Sequence, residues 1–120
     1  TRAIAESYRN RYGVTLCLKT HESVIADAES GKTYRNESGC PALAKAGSGD
    51  VLSGIIAGLI CLGMAPGEAT AIGAYLHGRA GQAAAERYSL HGILARDIAD
   101  AVPMVMRGAA QAAIGQTKGR

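Results

Sequence analysis

The run Ala44-Lys45-Ala46-Gly47-Ser48-Gly49-Asp50-Val51-Leu52-Ser53-Gly54-Ile55-Ile56-Ala57-Gly58-Leu59-Ile60 carries a loop of small residues straight into an apolar, helical pattern. A loop of this kind at the start of a helix presents several backbone N–H groups in one direction. The helix dipole adds a positive potential there, which suits phosphate oxygens. Glycines at 47 and 49 let the backbone approach a ligand without a Cβ in the way. Asp50, an acid just inside the helix, would repel a phosphate it touched, yet it is well suited to take a proton from a hydroxyl that attacks that phosphate. Read as an isolated Gly-x-Gly-Asp, the same residues describe a turn in which Asp50 caps the helix. The loop is not a Walker A motif, which needs GxxxxGK[ST]. Nor is it a Rossmann GxGxxG, because Leu52 stands at the last glycine position.

Downstream of this stretch the pattern predicts a helix over about 51–62. Gly54 and Gly58, four apart on one face, are expected to press closely on a neighbour. Gly63-Met64-Ala65-Pro66-Gly67 ends that helix and starts another, with Glu68 in its first turn, running to about Tyr88. A third helical stretch begins near Leu94 to Asp97, and Pro103 predicts a break near Ala101 or Val102. The polar tail after Ile114 is expected to fray. Upstream, Thr1 to Tyr12 reads as a short helix stopped by Gly13. Val14 to Leu18 reads as a core strand buried on both faces of a parallel sheet. Ser23 to Asp27 and Lys32 to Asn36 read as a hairpin around Glu29-Ser30-Gly31-Lys32, and Glu37 to Ala46 as a loop containing Gly39 and Pro41.

At 120 residues, 48% of them hydrophobic, the chain suffices for one core. A net charge of +3 spread along the sequence, with no Phe or Trp and five Tyr that do not alternate with basic residues, argues against nucleic-acid binding. Cys17, Cys40 and Cys61 lack CxxC or Cys/His ligand spacing, so reduced thiols rather than disulfides or a zinc site are expected. The most apolar stretch, Val51 to Ala65, is broken by Ser53, Gly54, Gly58 and Gly63. It falls short of the roughly 18 to 20 residues that a membrane span needs. No leader pattern opens the chain, so a cytoplasmic protein with no membrane partner is expected.

The GxGD signature, AKAGSGDVLSGIIAGLI, and the later AYLHGRAG and ILARDIADAVP, taken in that order and spacing, resemble the ADP- or ATP-dependent NAD(P)H-hydrate dehydratases of the ribokinase-like superfamily. The resemblance runs from about Val14 to Met106 and corresponds to the C-terminal portion of that family's domain. It implies a three-layer α/β/α fold, of which residues 1–120 supply a helix, a core strand, a hairpin and then three or four helices. It also implies a reaction in which hydrated NADH or NADPH is phosphorylated on its added hydroxyl by ATP or ADP and then loses phosphate. By the resemblance, Asp50 contacts the hydrate and takes its proton, and Gly47, Ser48 and Gly49 form the anion hole for the transferred phosphoryl group. A magnesium ion neutralises phosphate charge, and no protein residue is assigned as a metal ligand. Leu18 to Ile25 falls where the family has a Lys-Gly-x-x-[Thr/Ser] nucleotide segment, which implies nucleotide contacts from Lys19, Thr20, His21, Glu22 and Ser23. Thr20 stands in place of the family's glycine. A homo-oligomer, and an NAD(P)H-hydrate epimerase fused or acting alongside, are the implied partners.

Other residues have plainer readings. His77, on an apolar helix with no acid or nucleophile at i±3 or i±4, reads first as a hydrogen-bonded packing residue. Gln82 stands where the family often has Asp, His91 reads as a turn residue, Asp97 as an early-helix acid or cap with shaping of the nucleotide side of the site as its alternative, and Lys45 as a solvated loop lysine with a phosphate contact as its alternative. Two other functions fit the same loop: a small-molecule kinase of the same superfamily, acting for example on a vitamin precursor, and a non-catalytic nucleotide-binding or self-assembling segment. One parallel-strand candidate is too few for a covered parallel sheet. These residues are therefore expected to be part of a larger α/β domain, or to complete their sheet with another chain.

Overall fold

The computed structural model describes the chain apart from residues 21, 40–42, 44–46, 90 and 119–120, and apart from the side chains of residues 109–118. Its elements follow one another as α1 (Arg2–Tyr12), β1 (Leu16–Leu18), β2 (Val24–Ala26), β3 (Thr33–Arg35), α2 (Ser48–Cys61), α3 (Pro66–Tyr88) and α4 (Ala95–Lys118). Gly13 ends α1 in the left-handed conformation, φ 65°, and its N–H bonds back to Arg9 O. Pro66 opens α3, where its missing N–H costs nothing.

The sheet has the order β1-β2-β3 and is antiparallel throughout, with Cys17 opposite Ile25 and Ile25 opposite Tyr34. Side chains alternate between its faces. Leu16, Leu18, Val24 and Ala26 pack against Ala5 of α1, whereas Cys17, Ile25 and Tyr34 pack against Leu52 and Ile56 of α2 and Ala74 of α3. The result is a helix layer, a sheet and a second helix layer, as expected, and the 23–27/32–36 hairpin is present. Among the described residues the Val14 to Leu18 strand pairs along one edge only, antiparallel to β2, and its other edge has no parallel partner. The strand is covered on both faces, but its ladder partner is the hairpin that follows it. A continuous apolar run reports two-sided burial, not strand direction.

The second helix layer is organised by α3, whose buried residues are mostly Gly and Ala. A Cβ at Gly67 would lie 2.1 Å from Asp27 Cγ, at Gly73 2.7 Å from Ile56, at Gly78 2.0 Å from Ser38 Oγ and at Gly81 2.5 Å from Leu43. The close approach between α2 and α3 therefore comes from Gly73. Gly54 and Gly58 are exposed with nothing within 4 Å of either Cβ position, so the expectation that they press on a neighbour is corrected. Helical spacing identified a face of small residues, but the buried face of α2 is the one carrying Leu52, Ile55, Ile56 and Leu59.

Two further expectations are corrected. α4 runs through Pro103 without a break and continues to Lys118. Pro103 and Ala99, whose carbonyl loses its partner, are both on the exposed side where water can serve it, while Val102 and Val105 pack on Ala80, Ala84 and Ile98 and hold the helix in line. α2 begins at Ser48 rather than Val51.

Asp27 links the hairpin to α3. Its buried carboxylate accepts hydrogen bonds from Ser30 Oγ (2.6 Å), Glu29 N (3.0 Å) and Thr15 Oγ1 (3.3 Å). The Ser30 hydroxyl, chiefly, holds it below the ordinary 3.8, so the stability it contributes is present above that value and is lost as pH falls through the lowered one. Gly67→Ala is expected to cost about 1–3 kcal/mol by displacing this carboxylate. Gly54→Ala, pointing into open space, should be neutral or stabilising by about 0.5–1 kcal/mol. Urea titration of both variants checks this, and equal midpoints would contradict the packing described.

Candidate active site at the start of α2

The start of α2 is built by three segments remote in sequence. Gly47 is the N-cap with φ 88° and ψ −9°, a left-handed conformation that glycine adopts without strain, and a Cβ there would come 3.2 Å from Ala95 Cβ at the start of α4. The first hydrogen bond of the helix runs from Val51 N to Gly47 O, 3.2 Å. The N–H groups of Ser48, Gly49 and Asp50 precede it and have no intrahelical acceptor, and no side chain caps this end.

Lys19, just beyond β1, reaches this same point: a Cβ at Gly49 would lie 3.3 Å from Lys19 Nζ. An ammonium group thus joins the positive end of the α2 dipole over a glycine that leaves room for it. Of the other residues in that segment, Thr20 and Ser23 turn their hydroxyls onto their own loop, Thr20 Oγ1 to Glu22 O (2.7 Å) and Ser23 Oγ to Thr20 O (3.5 Å). The Glu22 carboxylate pairs with Arg35 of β3. His21 and Lys45 lie outside the described residues. Only Lys19 among the described residues of the segment is brought to the helix end.

Ser48 divides its functions between two directions. Its N–H belongs to the open helix end, but its side chain is buried, 1% exposed, with Oγ 3.0 Å from Nε2 of His77 on α3, itself 4% exposed. A phosphate at this end would meet the Ser48 amide and not its hydroxyl. The plain reading of His77 as a hydrogen-bonded packing residue holds. Its partner, 29 residues away, gave no local signal.

Two aspartates occupy the third position of a helix, and they behave differently. Asp97 in α4 folds back so that Oδ2 accepts the N–H of Leu94 at 2.8 Å, the capping role expected for it. Asp50 in α2 is exposed and, among the described residues, its carboxylate has no hydrogen-bond or ion-pair partner. The cap reading of Asp50 is therefore corrected: Gly47 is the N-cap, and the carboxylate stands free beside three open amides and an ammonium. Such a group can accept a proton from a hydroxyl held against a bound phosphate. Gln82 spans Arg79 and Gly39 O (3.0 Å) in a structural role, and His91 lies in the turn between α3 and α4. Among the described residues no group of three His, Cys, Asp or Glu side chains is placed to hold a metal ion, and no helix is long and apolar enough to cross a membrane.

The profile of the NAD(P)H-hydrate dehydratase family matches residues 1–104. A bifunctional NAD(P)H-hydrate repair enzyme of Moorella thermoacetica is 47% identical over 104 residues, covering 87% of this chain and 19% of its own length. An ADP-dependent (S)-NAD(P)H-hydrate dehydratase of Cenarchaeum symbiosum is 40% identical, covering 88% of this chain and 36% of its own length. The crystal structure of the ADP/ATP-dependent NAD(P)H-hydrate dehydratase of Bacillus subtilis, co-crystallised with ATP and Mg2+, superposes with a TM-score of 0.82 at 32% identity, over 88% of this chain and 38% of that one. The fold is the ribokinase-like α/β fold, and the chain spans well under half the length of the relatives it matches.

Two measurements follow from this geometry. Lys19→Ala should weaken binding of pyrophosphate roughly tenfold at low salt and flatten its salt dependence. Unchanged affinity would remove Lys19 from the site. Burial pushes the His77 imidazole below its ordinary 6.5, the Ser48 backbone opposing and the Lys19 charge reinforcing this. A depressed folded value means full stability above pH 6.5 and a loss as pH falls from there through the lowered value. The unfolding midpoint should drop over that window, and less so in His77→Gln.

Proposed function

The chain belongs to the NAD(P)H-hydrate dehydratase family, and from that premise we propose that the protein returns hydrated NADH or NADPH to the reduced cofactor, with ATP or ADP as phosphoryl donor. Residues 1–120 are read as the C-terminal portion of a single dehydratase domain, the portion that carries the phosphate side of the site. The observation that carries the proposal is the free Asp50 carboxylate beside the open N–H groups of Ser48, Gly49 and Asp50 and the Lys19 ammonium.

In this reading the Lys19 ammonium and the amides from Ser48 to Asp50 receive oxygens of the nucleotide's terminal phosphoryl group. They stabilise the charge that develops as it is transferred. Asp50 orients the hydroxyl of the hydrate and takes its proton as the oxygen attacks phosphorus, so that the O–H bond breaks, the new P–O bond forms and the nucleotide leaves one phosphate shorter. The phosphate ester then departs with its electron pair as inorganic phosphate, and a ring proton is lost to restore the double bond. Gly47, Ser48 and Gly49 act here through backbone alone. Thr20, Glu22 and Ser23 act by shaping the loop around Lys19, and His21 is read as a further nucleotide contact of the same segment.

Magnesium fits this scheme as an ion carried on the nucleotide phosphates, since the described residues offer no three-ligand cluster to cage it. Bound there, it neutralises phosphate charge. The similarity to enzymes named bifunctional supports a second repair activity, an epimerase, joined to this one or acting beside it in the cytoplasm. Packed Gly- and Ala-rich helices are compatible with a homo-oligomer.

Asp50→Asn in the full-length protein is expected to lower ATP-dependent recovery of NADH from its hydrate by about 10²–10⁴-fold, with ATP affinity by calorimetry little changed. Undiminished turnover would exclude Asp50 as the base. Release of a stable phosphorylated product instead of NADH would assign the protein to the small-molecule kinases of the superfamily.

A further inference from the structure

The Ser48–His77 pair is a buried polar contact that the scheme above does not use. Both side chains are almost wholly excluded from water, and each would be costly to bury alone. An apolar pair of similar volume would fill the same space without that cost, so hydrophobic packing does not explain why the contact is polar. What a hydrogen bond adds is direction.

Ser48 is the first residue of α2, and its own N–H is one of the three open amides. Rotation of this residue would swing that amide, the Gly49 amide and the Asp50 carboxylate together. Gly47, with its permissive backbone, offers little resistance to such a rotation. Ala95 touches the Gly47 position from one side, and Lys19 lies over Gly49 from the other. Val51 and Leu52 pack the end of this turn on the cores around Ala84 and Ala74; ahead of them, the hydrogen bond between Ser48 Oγ and His77 Nε2 is, among the described residues, the side-chain tie that holds the first residue of the helix.

His77 is in turn held rigidly. Its neighbours on α3, Gly73 and Gly78, are where Ile56 of α2 and Ser38 of the preceding loop press directly on the α3 backbone, so α3 cannot slide or turn without clashing. The Ser38 hydroxyl also donates to Tyr75 O at 3.0 Å, and the Asn36 amide donates to Ala74 O at 3.0 Å. The imidazole therefore sits at a set height beneath the first turn of α2.

We propose that His77 is a positioning residue: through the Ser48 hydroxyl it fixes the orientation of the open amides and of Asp50, while touching neither nucleotide nor hydrate. This rests on the dehydratase reading for its catalytic consequence, but not for its structural one. Whichever ring nitrogen carries the proton, one hydrogen joins Oγ and Nε2, and the tautomer only decides which of them donates it. Glutamine, whose amide can both donate and accept, is the substitution that can keep the tie.

The test is a double-mutant cycle in the full-length protein with Ser48→Ala, His77→Ala and the two combined, read as kcat and KM for ATP-dependent recovery of NADH. Each single variant should lower kcat roughly ten- to a hundredfold, with a smaller change in KM for ATP. The double variant should be no worse than the poorer single, because the two residues act through one bond. His77→Gln should recover most of kcat. Additive losses, or a folded His77→Ala variant with unaltered kcat, would overturn the proposal.

Hydrogen exchange of the Val51 amide, the first N–H of α2 that has a backbone acceptor, separates this outcome from failure of the functional reading. Faster exchange in both single variants, no further increase in the double and restoration by His77→Gln supports the tie even if the unmutated protein shows no dehydratase turnover. Unchanged exchange overturns it whatever the activity. Should His77→Ala not fold, the same comparison between Ser48→Ala and His77→Gln decides the matter.

Discussion

The lack of a side chain at four glycines of α3 is the constraint on which the rest of this molecule depends. Four separate parts of the chain lie against its backbone at Gly67, Gly73, Gly78 and Gly81: the carboxylate of Asp27, Ile56 of α2, Ser38 and Leu43. The sheet, the second helix and the connection between them thus take their positions from a single helix. Among the described residues the wholly buried large side chains are few, Ile25, Ile93 and Ile98 among them. Close backbone approach replaces bulk, which accounts for a chain with no Phe or Trp and sixteen Gly.

The parts of the fold legible in the sequence were those governed by local chemistry. Gly13 stopping α1, Pro66 opening α3 and the hairpin about Gly31 each depend on the conformational habits of one or two residues. The parts that were not legible depend on which face a neighbour occupies. Gly54 and Gly58 have the spacing expected of a packing face but point away from it, while Gly73, in no regular pattern with the other α3 glycines, receives Ile56. Pro103 carries a strong local signal for a break, yet Val102 and Val105 are held in the core on the opposite side of α4 and the helix goes through. The run at Leu16 to Leu18 announced burial on both faces, and nothing in it could announce that its partner would be antiparallel.

The candidate site divides in the same way. The loop of Gly47 to Asp50 was readable because glycines beside a helix start have one physical use that stands out, whereas the approach of the Lys19 ammonium to Gly49 is a matter of tertiary placement. The roles of individual side chains were less visible. Ser48 offers its amide outward and its hydroxyl inward, a distinction that composition cannot express. Asp50 and Asp97 occupy equivalent helical positions, and only the presence of a folded-back bond to Leu94 in one case separates a cap from a free carboxylate.

The crowding at α3 also bears on how such a sequence can diverge over evolutionary time. At Gly67, Gly78 and Gly81 every replacement reachable by mutation introduces an atom into space already filled by Asp27, Ser38 or Leu43. Change at these places is least costly when it comes first from the opposing residue, by its shortening or withdrawal, with the glycine following afterwards. Drift along α3 is ordered, with the partners leading, and the exposed positions such as Glu68, Arg79 and Arg87 are left as the ones free to vary alone.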